Sequence, residues 1–134
     1  MNLDVRWRQR YELDHPKPLP ERASFEIVWL LNDEVVGFST VDKLVFGEQA
    51  NMHLHLVEPD RRRSGMGVQF VRMSARLYFD TLELRRIFCQ PNALNTAPNR
   101  TLQAAGFRYV KTLMTAPSPL NYRQPITRWV LEQS

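Results

Sequence analysis

One short loop restricts what this chain can fold into more than any other stretch, because the apolar period changes across it from that of a strand to that of a helix. Upstream, Met52, Leu54 and Leu56 alternate with Asn51, His53 and His55, which predicts a strand over 51–57 with one apolar face and one bearing two imidazoles. Pro59 ends that strand. Downstream, Met66, Phe70, Met73 and Leu77 form a stripe at helical spacing, with Gln69, Arg72, Arg76 and Asp80 opposite, which predicts a helix over 66–80. Between them lies Arg61-Arg62-Arg63-Ser64-Gly65-Met66-Gly67. The first turn of the helix has N–H groups free of intrahelical partners, and its dipole favours an anion there. Gly65 and Gly67 carry no side chain to hold a phosphate off the backbone, and Arg62 and Arg63 add charge-assisted hydrogen bonds. The physics says phosphate or pyrophosphate and leaves the molecule open. Val68-Gln69 stands where a Walker A loop needs Lys-Ser or Lys-Thr, and Phe70 where a dinucleotide fingerprint needs a third glycine.

Around this segment the sequence predicts a helix over 5–13 with Val5, Trp7 and Tyr11 as buried contacts, then an extended connection through Pro16, Pro18 and Pro20. Strands follow over 24–31 and 35–41 about a turn at Asn32-Asp33-Glu34, with Gly37 marking a bulge or close backbone approach. After the long helix come a strand over 85–90 and a loop over 92–99 in which Thr96 is the expected N-cap. A helix ending at Gly106 and strands over 107–113 and 126–132 complete the chain. Early hairpins and a central strand-helix-strand unit imply an α/β (α+β) fold on a mixed, mostly antiparallel sheet.

The length of 134 residues fits a single domain over 1–134. An apolar share of 43% and a charged share of 24% are those of a folded globular chain. No apolar run reaches the length of a membrane span, and residues 1–6 show no signal-peptide core, so the expected location is the cytoplasm. The single cysteine, Cys89, excludes an internal disulfide and a cysteine-built zinc site. A net charge of +4 admits nucleic acid, a membrane surface or a phosphorylated cofactor. Nucleic acid is disfavoured because the arginine run lacks interleaved aromatics and a recognisable motif.

Arg62-Arg63-Ser64-Gly65-Met66-Gly67, with Val57-Glu58-Pro59-Asp60-Arg61 before it, resembles the pyrophosphate loop of the GNAT superfamily of acyl-CoA-dependent acyltransferases. Asn95, eleven residues before Gly106-Phe107, and the hairpin with Val36-Gly37-Phe38 resemble further parts of that fold, from about Phe25 to the C-terminus. The resemblance implies acetyl-CoA as acyl donor. Backbone groups near Leu56 and Val57 would meet the pantetheine arm where two strands splay, and the amides of Arg63, Ser64, Gly65, Met66 and Gly67 would hold the pyrophosphate. Asn95 would touch the pantetheine or position its helix, with Asn99 one turn further on. Two departures stand out. Leu102 occupies the position of the tyrosine that in many relatives protonates the departing thiolate, leaving Tyr109 or Tyr122 as substitutes, and the N-terminal part is shortened to about one helix.

His53 and His55 fall beside the expected thioester, where neutral imidazole can take a proton from an amine. The setting resembles the siderophore and ribosomal-protein branches of the superfamily. The alternative is two packed, hydrogen-bonded histidines of a half-buried sheet. Glu58 is a weaker base, a two-histidine metal site lacks a third ligand, and Cys89 reads as a buried structural thiol. The expected activity is transfer of acetyl to a small-molecule or peptide primary amine. A non-catalytic acyl-CoA-binding module is the alternative, and the oligomeric state stays open, a homodimer included.

Overall fold

A computed structural model describes residues 2–8, 25–56, 65–115 and 123–133. The elements are β1 (Leu3–Arg8), β2 (Phe25–Leu31), β3 (Glu34–Val45), β4 (Gln49–Leu56), α1 (Met66–Leu82), β5 (Arg86–Cys89), α2 (Thr96–Ala104), β6 (Arg108–Met114) and β7 (Pro125–Glu132). They form one seven-stranded sheet in the order β1-β2-β3-β4-β5-β7-β6. Among the described residues only β4 and β5 pair in parallel.

Residues 5–8 of the expected 5–13 helix belong to a strand, while 9–13 and the connection through Pro16, Pro18 and Pro20 lie outside the described residues. Leu3, Val5 and Trp7 alternate with Asp4, Arg6 and Arg8, and this period of two lets β1 pair with β2 from Leu3↔Leu31 to Arg8↔Glu26. Trp7 stays partly exposed while its ring meets Phe25 edge-on at 4.8 Å. The turn between β2 and β3 has Asn32 and Asp33 both at positive φ, 51° and 68°, the conformation a two-residue type I′ hairpin needs. Beside Gly37 the β2–β3 register shifts, so Val36 is the extra residue of a bulge.

Helix α1 packs on the face carrying Val5, Ile27, Trp29, Ser39 and Met52. Its buried side is Met66, Phe70, Val71, Ser74, Ala75, Tyr78, Phe79 and Leu82. Met73 and Leu77, expected in the stripe, are only partly buried. The stripe is rotated because two polar side chains find partners under the helix. Trp29 Nε1 donates to Ser74 Oγ at 2.8 Å, and the Tyr78 hydroxyl to Ser39 Oγ at 3.0 Å. Burial raises the Tyr78 hydroxyl far above its ordinary range, against the opposing pull of its hydrogen bond to Ser39. Phe70 stacks on Trp29 with centroids 5.0 Å apart.

Helix α2 closes with a full Schellman motif. Gly106 takes φ +99°, its N–H donates to Gln103 O at 3.1 Å, and Phe107 N–H donates to Leu102 O at 3.0 Å. Leu102 and Phe107 are both buried, the apolar contact that accompanies this cap. Arg72 Nη2 donates to Ala104 O at 2.8 Å and ties the end of α2 to α1. No helix among the described residues is long and apolar enough to cross a membrane.

Candidate active site

The parallel pair is short. β4 and β5 stay together only from Gln49↔Arg86 to Met52↔Cys89. β4 then runs on to Leu56 paired with β3, from His53↔Thr40 to Leu56↔Gly37. Past β5 the chain leans towards β7. Pro91 O accepts from Thr127 N at 3.0 Å, Ala93 N donates to Pro125 O at 2.9 Å, and Asn92 bridges Ile126. Pro91 has no N–H with which to continue a ladder. The strands therefore fork at Met52 and Cys89, and one edge of residues 53–56 has no strand partner among the described residues.

Both helices begin in loops that follow these two strands, so both N-termini lie at the carboxyl end of the fork. Gly65 is the N-cap of α1, with φ 73° and ψ 4°, and no side chain among the described residues caps the helix. Neither helix has an acidic residue in its first turn. The earliest backbone bond recorded there is Gln69 N to Gly65 O at 3.5 Å, so the preceding N–H groups of the turn are free of the helix ladder. The two glycines serve different ends. Gly65 permits the left-handed backbone that starts α1, whereas a Cβ on Gly67 would lie 3.7 Å from Thr101 Cγ2, against α2. Val57, Glu58, Arg62, Arg63, Ser64 and Tyr122 lie outside the described residues.

Asn95 is the N-cap of α2 in place of Thr96, without a side-chain cap bond, and is exposed. Asn99 is engaged at every position of its amide. Nδ2 donates to Asn92 O at 3.0 Å and Asn95 O at 2.8 Å, while Oδ1 accepts from Trp129 Nε1 at 2.9 Å and from Thr127 Oγ1. In this arrangement it fastens the 92–95 loop to α2 and β7. The sequence reading missed Thr127 and Trp129 because they lie on a strand far along the chain.

His53 and His55 project from β4 on the face opposite the two helices, with Glu26, Phe38, Thr40 and Asp42 nearby in the register. His53 is the first β4 residue past the fork. Its Nε2 is 3.0 Å from Asp42 Oδ1, and both side chains are about half exposed, at 48% and 51%. His55 stacks on Phe38 with centroids 4.5 Å apart. Across β5 the same face turns basic, where the Arg128 guanidinium lies 4.1 Å over the Phe88 ring and its Nε is buried without a hydrogen-bond partner.

The remaining candidates lie away from the fork or inside the core. Leu102 is fully buried. Tyr109 is half exposed on the outermost strand, its hydroxyl 2.7 Å from Thr112 Oγ1. Cys89 is buried, and burial pushes its thiol up to about 12, the opposite of what an acyl-carrying nucleophile needs.

Residues 21–115 match the family model described as acetyltransferase (GNAT) domain. The chain belongs to the GNAT acetyltransferase family. No curated protein matches it. Solved structures share the fold of this GNAT domain at low identity. A spermidine N-acetyltransferase from Vibrio cholerae in complex with CoA and spermine superposes with a TM-score of 0.77 at 16% identity, over 98% of this chain and 95% of that one. The aminoglycoside acetyltransferase AAC(6')-Ib in complex with coenzyme A gives 0.70 at 20% identity, over 86% and 69%. RimJ of Mycobacterium smegmatis, in complex with CoA-disulfide, gives 0.73 at 18%, over 82% and 53%.

Proposed function

We propose that this GNAT domain transfers acetyl from acetyl-CoA to a primary amine by direct attack, with the donor seated in the β4–β5 fork and His53 receiving the amine's proton. The fork carries the reading: a strand edge freed at Met52 and Cys89, with two uncapped helix N-termini at its carboxyl end. The edge of residues 53–56 offers backbone groups to the amides of a pantetheine arm. The first turn of α1 from Gly65 to Gly67, with Arg62, Arg63 and Ser64 before it, receives the pyrophosphate. Asn95 borders the arm at the start of α2. Proteins of similar fold are in complex with CoA, and one of them with CoA and spermine.

In the reaction an ammonium gives a proton to His53, and the freed amine attacks the thioester carbonyl. The C–N bond forms as the carbonyl electron pair moves onto oxygen, where backbone donors of the fork stabilise it. The C–S bond then breaks, and the thiolate takes the remaining amine proton. The balance is one amide, one thiol of CoA and one proton released from the imidazolium to water. His55 lines the approach, and Glu58, at the end of the strand, is the reserve base.

The acceptor reading is a small-molecule or peptide amine, and the single buried thiol fits a cytoplasmic setting. A second reading, an acyl-CoA-binding module without turnover, draws on Leu102, which is buried core where many relatives carry an acid. Thiol release from acetyl-CoA with polyamines, aminoglycosides and peptide N-termini separates the two. Under the leading reading His53→Ala lowers turnover by roughly 10²–10⁴-fold at neutral pH with little change in acetyl-CoA affinity. The deficit shrinks at high pH, where the amine is already deprotonated. Full activity of the His53→Ala, His55→Ala double variant would remove both histidines from the chemistry.

A further inference from the structure

We propose that Asp42 is a positioning residue for His53, holding its Nε2–H towards β3 so that Nδ1 is the atom that receives the acceptor's proton. This rests on the reading of His53 as the base. His53 stands opposite Thr40 and Asp42 opposite Asn51, so the two side chains are diagonal neighbours on one face. Their contact is Nε2 to Oδ1 at 3.0 Å. An ionised carboxylate only accepts, so Nε2 carries the hydrogen, and neutral imidazole then presents its lone pair at Nδ1.

Asp42 is itself fixed by the backbone. It is the last residue of the regular β3–β4 register before the shift between Asp42 and Val45, where Lys43 turns to φ 47°. Such an irregularity ends the pairing and re-aims the side chains beside it. Among the described residues, the charged and titratable groups on the face of His53 include Arg128 of β7, whose guanidinium lies 4.1 Å over the Phe88 ring. Asp42 comes from β3, His55 from β4 itself and Glu26 from β2, beyond Thr40. From β5 the nearest is Arg86, held at the far end by Gln49 at 3.0 Å and Glu48 at 3.8 Å. Asp42 is the one with a hydrogen bond to the ring.

A pair this exposed contributes little to folding, so its loss should be read in the chemistry and not in the melting temperature. The test compares Asp42→Ala, Asp42→Asn and His53→Ala in thiol release from acetyl-CoA, using the amine that turns over fastest with the native enzyme, across a range of pH. Long-range imidazole ¹⁵N spectra of the free protein serve as a second readout. Asp42→Ala should lower kcat by roughly three- to tenfold at neutral pH, with Asp42→Asn between it and the native enzyme. KM for acetyl-CoA and the melting temperature should hold. The spectra should show the Nε2–H tautomer in the native protein and a mixture in Asp42→Ala. A slow His53→Ala beside an Asp42→Ala that matches the native profile at every pH overturns the positioning role and leaves the base in place. A fully active His53→Ala overturns both. Weaker acetyl-CoA binding and a lower melting temperature with an unchanged imidazole tautomer would make Asp42 a structural tie only.

Discussion

Replacing Asn99 with alanine distinguishes a residue that shapes the cleft from one that touches the cofactor. The side chain joins three stretches of chain, reaching Asn92 O and Asn95 O with Nδ2 and receiving Trp129 Nε1 and Thr127 Oγ1 at Oδ1. A neutral hydrogen bond contributes about 0.5–1.5 kcal/mol net, and bonds that share one side chain do not add. Two of the abandoned donors have fallback acceptors, since Thr127 Oγ1 also reaches Pro91 O at 3.4 Å and Trp129 Nε1 reaches Thr127 Oγ1 at 3.2 Å. The two carbonyls each keep a backbone donor, Asn92 O from Asn95 N at 3.1 Å and Asn95 O, at the N-cap, from the first bond of the helix ladder, but lose the side-chain tie. Together these give an expected loss of about 2–3 kcal/mol. In urea, with a slope of about 1–3 kcal/mol per molar, the midpoint should fall by roughly 1–2 M at unchanged slope. Acetyl-CoA affinity should weaken in the same variant, because the 92–95 loop that borders the fork is no longer held. An unchanged midpoint combined with lost acetyl-CoA affinity would refute this account and make the Asn99 amide a direct ligand.

Leu102→Tyr, which restores the tyrosine found in many relatives, should lose about 2–5 kcal/mol from overpacking and an unpartnered hydroxyl and should gain no turnover. A native melting temperature in that variant would show that position 102 borders a cavity and not the core. Cys89 carries a pH signature. Its folded value of about 12 lies above the unfolded 9, so the unfolded chain binds fewer protons between them, and stability falls there by up to ~1.4 kcal/mol per pH unit. The fall is absent below pH 9, Tyr78 adds to it above pH 10, and Cys89→Ala should remove the part beginning at 9, as read from urea midpoints across pH.

Much of this architecture was legible because it follows from local rules. The type I′ turn at Asn32-Asp33, the bulge beside Gly37 and the αL cap at Gly106 are set by residues within a few positions of each other. Two readings failed where distant partners decide. The 5–13 helix rested on Val5, Trp7 and Tyr11, whereas Leu3, Val5 and Trp7 have the period of a strand and find β2 to pair with. Of the α1 stripe of Met66, Phe70, Met73 and Leu77, the first two are buried, but Ser74 and Tyr78 turn inward in place of Met73 and Leu77 because Trp29 and Ser39 meet them from the sheet. The site divides the same way. The glycine loop and the imidazole pair were visible as local patterns. Asp42, Thr127 and Trp129 were not, since their partners lie 11, 28 and 30 residues away.

The single parallel pair explains why stability and chemistry can share so small a sheet. Because β4 and β5 run the same way, the chain must cross over between them, and α1 is that crossover, buried against the apolar face. The crossover also fixes where α1 begins, at the carboxyl end of β4, where its free N–H groups look out beyond the strands. At that same end Pro91 and Asn92 turn to β7 and open the fork. The helices cover one face, so the polar residues of β3 and β4 are left to the other, with His53 at the point of divergence. A substitution that keeps β5 paired to β4 beyond Met52 would therefore improve the sheet and remove the cleft together. The gap in pairing at residues 53–56 among the described residues is then a stability sacrifice located at the proposed acetyl-CoA site.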